Sequence, residues 1–194
     1  MPRGRYLVDG RVEAFACAAG PAGWRYTSTG VDGAGAVGAG AVVTAVDLTL
    51  DSVGRQVRVE LRHGPWLLRG GLEGTTLRWV RDGVEHSAAA AGFAANSPGF
   101  LVAIARLLRI TPGQARRTRL VEVTGPALAT RTVDVEWRCR EVTTYDTDLG
   151  PLTVTRYDVV PLDTGQRRAV HLAGDVVVAA DGVELVELDS PPGP

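Results

Sequence analysis

The chain has 194 residues, enough for one domain with a sizeable core. Its 21 basic and 22 acidic side chains give a formal net charge of −1, which excludes a strong long-range attraction to nucleic acid or to an anionic membrane surface. No run approaches the roughly 18 apolar residues that cross a bilayer, so we expect neither membrane insertion nor nucleic-acid binding.

Alternating apolar and polar residues in the first half of the chain predict short strands with one buried face. The segment 56–62 is typical, because Val57, Val59 and Leu61 share one face and polar side chains share the other. Similar segments occupy 42–50, 66–68 and 76–80. Turn residues separate these segments, and Asp82-Gly83 is a favoured two-residue hairpin signal. The first half therefore predicts an antiparallel meander.

A single segment in the middle of the chain, 97–110, predicts an amphipathic helix. Ser97 suits the N-cap, and Pro98 suits the first helical position, where its missing N–H costs nothing. Apolar residues recur with the spacing of one helix face, namely Phe100, Ile104, Leu107 and Leu108. Residues 111–113, with proline and glycine, end the helix.

Alternation resumes after the helix and is clearest in 131–140, where Val133, Val135, Trp137 and Cys139 share one face. Further strands are predicted at 152–160, 168–180 and 183–188, with Asp181-Gly182 joining the last two. The pattern predicts a mainly β (α+β) fold: a single-domain antiparallel β-roll or barrel around one central amphipathic helix. We expect one domain over 1–194, with 190–194 as a disordered tail.

Motifs for metal, cofactor or nucleophile chemistry are weak in this sequence, so we predict no metal and no cofactor. The 33–38 segment matches a dinucleotide-binding glycine pattern, but loop-like residues precede it and a strand follows, which favours a glycine loop. Asp146 and Asp148 suit a hairpin loop better than a metal pair. Cys17 and Cys139 lack metal or disulfide-framework spacing, and we predict packed, inert thiols in a reducing compartment.

Aromatic residues are the better candidates for a binding site. Trp66, Trp79 and Trp137 lie on strands whose alternation points them inward, where a flat ring with one N–H could stack on a ligand or simply pack in the core. His63 precedes a turn and could line a pocket mouth or lie at the surface. Arg156 is in register with Leu152 and Val154, so we expect it to face inward, where it would need an anionic partner.

Several short motifs give the chain a resemblance to a known family. They are the 79–83 stretch with Trp79 and Gly83, the 104–107 stretch before Gly113, the 123–128 stretch, the strand around Trp137 and the 180–183 hairpin. In their order, spread from about Val46 to Asp189, they resemble a bacterial family described as glycolipid-binding. That resemblance implies a large folded-over sheet similar to lipoprotein-carrier rolls and an apolar-ligand binder without an established reaction.

The sequence therefore favours a binding protein for a hydrophobic small molecule, such as a lipid, glycolipid or polycyclic metabolite, in an interior pocket. The alternative is a cofactor-independent cyclase or isomerase of a bacterial specialised-metabolite pathway that uses the same cavity. Inward polar groups from Arg156, Tyr157, Glu141 or His171 would favour the enzyme. A third class would use an exposed sheet edge for assembly, which leaves a homodimer open. We expect no export signal and a cytoplasmic location.

Overall fold

The computed structural model describes residues 1–20, 23–32, 42–148 and 150–193, and within them the chain forms fifteen strands and one helix. The first-half strands are β1 (Arg3–Val8), β2 (Arg11–Gly20), β3 (Gly23–Asp32), β4 (Val42–Asp51), β5 (Gln56–His63), β6 (Trp66–Glu73), β7 (Thr76–Arg81), β8 (Val84–Ala88) and β9 (Phe93–Ala95). After the helix α1 (Pro98–Leu108) come β10 (Ala115–Thr124), β11 (Ala129–Thr147), β12 (Gly150–Pro161), β13 (Arg168–Ala173), β14 (Val176–Ala180) and β15 (Val183–Leu188). The glycine-rich 33–38 segment lies outside the described residues.

All fifteen strands belong to one sheet in the order β8-β7-β6-β5-β4-β3-β2-β1-β15-β14-β13-β12-β11-β10-β9. Neighbours are antiparallel except β9 and β10, and the pairing of β1 with β15 joins the two halves of the chain. The mainly β class with one helix is confirmed. In the described part of the chain β8 and β9 remain the sheet edges, so the sheet is open, as in a roll rather than a closed barrel.

The helix α1 packs against strands from both halves of the sheet. It contacts β4, β9 and β14. Phe100 and Ile104 are buried, as the helical spacing predicted, and Pro98 occupies the first turn. Gly99 lies directly against the ring of Tyr26, so any larger side chain there would collide with that ring. The helix is therefore part of the buried core of the fold.

An aromatic ladder packs the inner face of β1, β2 and β3. The ring centroids of Tyr6 and Phe15 are 4.4 Å apart, those of Phe15 and Tyr26 are 6.1 Å apart, and those of Tyr26 and Trp24 are 5.9 Å apart. Offset stacking of this kind adds to the area that the rings bury. The interior against β1–β3 is consequently filled by side chains.

Strand β5 departs from the predicted alternation. A β-bulge places Leu50 opposite Gln56 and Thr49 opposite Arg58, which leaves Val57 as the extra residue. Val57 therefore faces solvent, with 44% of its surface exposed, and the expectation that it faces inward is wrong. Gln56 takes the inward position, where its side-chain amide donates to the carbonyl of Phe93 at 2.9 Å and accepts from the Phe93 N–H at 2.7 Å.

Two further findings concern the whole described chain. None of its helices is long and apolar enough to span a membrane. The last residues make hydrogen bonds: Ser190 Oγ donates to the Met1 carbonyl at 3.1 Å, and the Gly193 N–H donates to Asp175 Oδ1 at 2.6 Å. Disorder of 190–194 in solution stays a prediction.

Candidate functional site

A cavity of about 560 Å³ lies between α1 and the inner face of the second half of the sheet. This volume falls in the range of roughly 300–1,000 Å³ typical of small-molecule sites. Strands β10, β11 and β13 and the helix supply its apolar wall, which includes Ile104, Leu120, Val133, Val135, Trp137 and Val170. These six residues are all buried. The second half of the roll therefore keeps an open volume beside α1, and a separate opening of about 420 Å³ lies along β5–β8, bordered by Trp79 and His86.

Trp137 is the largest side chain that borders this cavity. It lies on β11 on the same face as Val133, Val135 and Cys139, so the predicted alternation of this strand is confirmed. Its ring is tilted against that of Tyr157 with centroids 5.6 Å apart, and only 1% of its surface is exposed. The indole Nε1 has no hydrogen-bond acceptor among the described residues.

Polar residues at the ends of strands form the rim of the cavity. Asp9, in the turn between β1 and β2, accepts a hydrogen bond from Asn96 Nδ2 at 2.5 Å. Glu122 accepts a hydrogen bond from Arg131 at 2.6 Å. Arg168 and Asp181 also border the cavity, and in the described part of the chain neither forms an ion pair. A polar group of a ligand would meet hydrated side chains at this rim.

A buried carboxylate lies beside the cavity at the start of α1. Ser97 borders the cavity, and its Oγ donates to Glu13 Oε1 at 2.9 Å, while the hydroxyl of Tyr26 donates to the same oxygen at 3.3 Å. Burial raises the pKa of Tyr26 well above its ordinary value, and the negative charge of Glu13 raises it further. The Ser97 side chain does not cap the helix, because no backbone N–H of the first turn donates to its Oγ.

The structure separates the residues that the sequence predicted as a ligand site. Trp137 borders the cavity, whereas Trp66, Trp79 and His63 lie in the first half of the sheet. Trp66 and His63 face each other across the β5–β6 hairpin, and His63 Nδ1 is 3.0 Å from Thr44 Oγ1. Trp79 is buried and stacks on His86 with ring centroids 5.5 Å apart.

Arg156 does not face inward as expected. Its side chain is 45% exposed, and its Nη1 lies 3.4 Å from Glu141 Oε1. The physical reason is the period of two along β12: the adjacent Tyr157 packs against Trp137, so Arg156 must point to the opposite face. Leu152 and Val154 set the expected phase and are half-buried and buried, so burial along β12 does not follow a simple alternation.

Sequence reasoning missed two features of the site. No sequence pattern pointed to Arg168, because the alternation in this segment predicts only that the residue lies at the start of a strand. Glu13 did carry one, since it shares the face of Phe15 and Cys17 on β2, and a charged residue in an apolar phase indicates a buried polar contact. The Asp146 region, by contrast, lies at the end of the β11–β12 hairpin, where Thr147 Oγ1 donates to the Gly150 carbonyl at 2.6 Å.

The two cysteines and the metal-ligating side chains provide no alternative centre in the described residues. Cys17 and Cys139 are free and buried. Burial raises the pKa of both thiols, and for Cys17 the negative charge of Asp175 raises it further. Within the described ranges no three His, Cys, Asp or Glu side chains are grouped closely enough to hold a metal ion.

Comparison with known proteins bears on the fold. No family model matches the chain, and the search of curated proteins gives no match. The fold resembles the crystal structure of a DUF1089 family protein from Pseudomonas aeruginosa. The two structures align with a TM-score of 0.59 and 14% sequence identity, over 86% of this chain and 88% of that one. At this identity the likeness extends to the fold alone.

Proposed function

We propose that this protein binds a hydrophobic small molecule, of the lipid, glycolipid or polycyclic class, in the cavity beside α1. The observation that carries the proposal is the open volume of about 560 Å³ behind buried apolar side chains. Apolar wall area that is left open to solvent carries an unfavourable free energy of hydration. Binding an apolar molecule would remove this cost.

The arrangement of polar groups supports the same proposal. Apolar side chains line the inner wall, and Asp9, Glu122, Arg168 and Asp181 lie at the rim. Such a cavity suits a molecule with an apolar body and one polar end, because the polar end can stay hydrated while the body is buried.

The positions of the polar residues that would have favoured an enzyme support binding rather than catalysis. Arg156 and Glu141 pair with each other on the exposed face, and neither they nor Tyr157 and His171 are among the described residues that border the cavity. A cytoplasmic location belongs to the same proposal, since both cysteines are free thiols, which suits a reducing compartment.

A cavity-filling substitution tests the proposal. Ala180 borders the cavity from β14, whereas the adjacent Ala179 is exposed on the other face of the strand. We expect the fluorescent apolar probe 1-aminoanthracene to bind the wild-type protein, and Ala180→Phe to weaken its affinity by about tenfold or more, because the new ring occupies the probe's volume. Fluorescence titration measures both dissociation constants.

Ala179→Phe is the matched control, because it adds the same ring on the solvent side of the same strand. Its affinity for the probe should equal that of the wild type. Equal affinity in all three proteins, or no binding by any of them, would contradict the proposed function. Native mass spectrometry of the purified protein adds an independent readout, a bound mass that Ala180→Phe loses.

A further inference from the structure

The two edges of the sheet differ in how they are protected. At one edge, β9 has only three residues, and the side-chain amide of Gln56 bonds both the N–H and the carbonyl of Phe93. At the other edge, β8 pairs with β7 along all five of its residues without a bulge, and no further described strand pairs with it. An open edge can pair with another chain unless proline, lysine or a bulge blocks it, and β8 contains none of these.

The Asp82-Gly83 turn determines which backbone groups of β8 are left without a partner. In a two-residue hairpin the residues that flank the turn exchange both of their hydrogen bonds, and so does every second residue after them. Alternate residues of β8, beginning with Val84, therefore bond to β7. Glu85 and Ser87 lie between them, so their N–H and carbonyl groups point away from the sheet. No hydrogen bond from a described residue reaches these groups.

We propose that β8 pairs antiparallel with β8 of a second copy of the chain, in a two-fold dimer centred on His86. This register pairs all five residues of β8 and places Glu85 opposite Ser87 of the second copy. Because these residues carry the outward-pointing backbone groups, each such pair can exchange two hydrogen bonds. The two-fold axis repeats the pair, so the same edge serves both copies. The inference does not depend on what occupies the cavity beside α1.

The charged side chains on the outer face of the sheet favour this register. Glu85 is exposed and forms no ion pair with a described residue. Ser87 is paired with Arg78 of β7, so Arg78 of the second copy lies one strand beyond the serine that faces Glu85. Strands are about 4.8 Å apart, so these two long side chains can meet over the small serine. A register centred on Glu85 would instead place two carboxylates directly opposite each other, which is unfavourable.

An exposed apolar side chain also gains a partner in this dimer. Val84 is 57% exposed, and the register places it opposite Ala88 of the second copy. This is a pair without backbone hydrogen bonds, the type in which side chains are closest. Burial of Val84 therefore adds hydrophobic stabilisation to the backbone contacts. A dimer held by one pair of strands buries less surface than an obligate interface, so we expect it to dissociate on dilution.

Sedimentation equilibrium over a range of protein concentrations measures the dissociation constant of the dimer. We expect the wild type to dimerise and Ser87→Pro to stay monomeric at the same concentrations, because proline removes an N–H that the second copy needs and β7 does not use. Ser87→Ala is the matched control, since it keeps the N–H and should dimerise like the wild type. A wild type that is monomeric at every concentration would overturn the inference, and so would a dimer that Ser87→Pro leaves intact.

A charge exchange tests the register. Glu85→Arg should raise the dissociation constant by about tenfold or more, because the new guanidinium meets Arg78 of the second copy. Adding Arg78→Glu to the same chain should restore most of the affinity, and such a rescue also shows that the single variant is folded. If the double variant dimerises no better than Glu85→Arg, the register is wrong and the inference fails.

Amide hydrogen exchange of the wild-type protein keeps the inference falsifiable even if Ser87→Pro does not fold. The amides of Glu85 and Ser87 should exchange more slowly as the protein concentration rises, because only the dimer supplies their acceptors. The amide of His86 is the internal control, since it bonds to β7 in both states and should be slow throughout. Exchange at Glu85 and Ser87 that does not depend on concentration would overturn the inference.

Discussion

Glu13 shows how a single side chain ties elements together. Only 1% of its surface is exposed, and Oε1 accepts hydrogen bonds from Ser97 at the start of α1 and from Tyr26 on β3. Arg11 Nη2 lies 3.7 Å from Oε2, so the buried charge is also opposed by a cation. A buried carboxylate is tolerated only when such groups replace its lost water. The hydrogen bonds therefore fix where the helix begins.

Buried cysteines should be chemically silent in the native protein. Cys17 and Cys139 are each about 1% exposed, and burial raises the pKa of both thiols. Since the thiolate is the reactive form, we expect Ellman's reagent at pH 8 to label neither thiol in the folded chain and both in 6 M guanidinium chloride. Absorbance at the reagent's product band gives the count. Rapid labelling of either thiol in the native protein would contradict the burial.

At the scale of elements, period-two patterning predicted the strands well where the ladder is regular. Residues Val133 to Cys139 of β11 face as expected, whereas Val57 does not because of the bulge in β5. A bulge adds one residue to one strand and so reverses the direction in which the residues beyond it face. No residue type in this part of the sequence predicted the bulge. The prediction for Arg156 was wrong for a different reason: the inward face of β12 was assigned from Leu152 and Val154 rather than from Tyr157.

The hairpin between β7 and β8 depends on a glycine at a left-handed position. Asp82 has φ 51° and Gly83 has φ 76°, the conformation of a type I′ turn, as the Asp-Gly pair predicted. We expect Gly83→Ala to lower the free energy of unfolding by about 1 kcal/mol, because a side chain is strained there. A Cβ at Gly83 would meet no atom of the described residues within 4 Å, so the cost is conformational. Urea denaturation measures it.

Gly20→Ala is the control for that comparison. Gly20 lies on β2 without a positive φ, and the nearest atom to an added Cβ is 4.0 Å away. The substitution should be neutral or slightly stabilising, because alanine restricts the unfolded chain more than glycine does. Equal effects of the two substitutions would mean that the turn conformation is not the cause.

For the molecule as a whole, the sequence predicted the shape better than the site. Length and alternation predicted an antiparallel roll or barrel around α1, because backbone geometry imposes those periods, and the structure shows that the sheet is open. The cavity arises where strands distant in sequence leave space, as between Ile104 on α1 and Val170 on β13, and neither residue carries that information alone. Trp137 was correctly predicted to be buried, because a large aromatic side chain on a regularly alternating strand is buried whether it lines a cavity or packs in the core.

Ion pairs cover the outer face of the sheet and should make stability depend on acid. Hydrogen bonds from Arg119 lower the pKa of Asp134, and hydrogen bonds from Arg117 and Arg138 lower that of Glu136. Both carboxylates thus stay ionised in the folded chain at a pH where the unfolded chain takes up protons. Their stabilising contribution is complete above the ordinary carboxylate pKa of about 4 and is lost as pH falls through the lowered values.

We therefore expect the free energy of unfolding in urea to decline between about pH 5 and pH 3, and to decline less steeply in the Asp134→Asn, Glu136→Gln double variant. The comparison with the variant isolates these two groups from the other carboxylates of the chain. Added salt at about 1 M should reduce the difference between the two proteins, because Asp134 is exposed and Glu136 is half-buried, and screening acts on charges that solvent reaches. Parallel declines in the two proteins at low salt would show that these arginine contacts do not hold in solution.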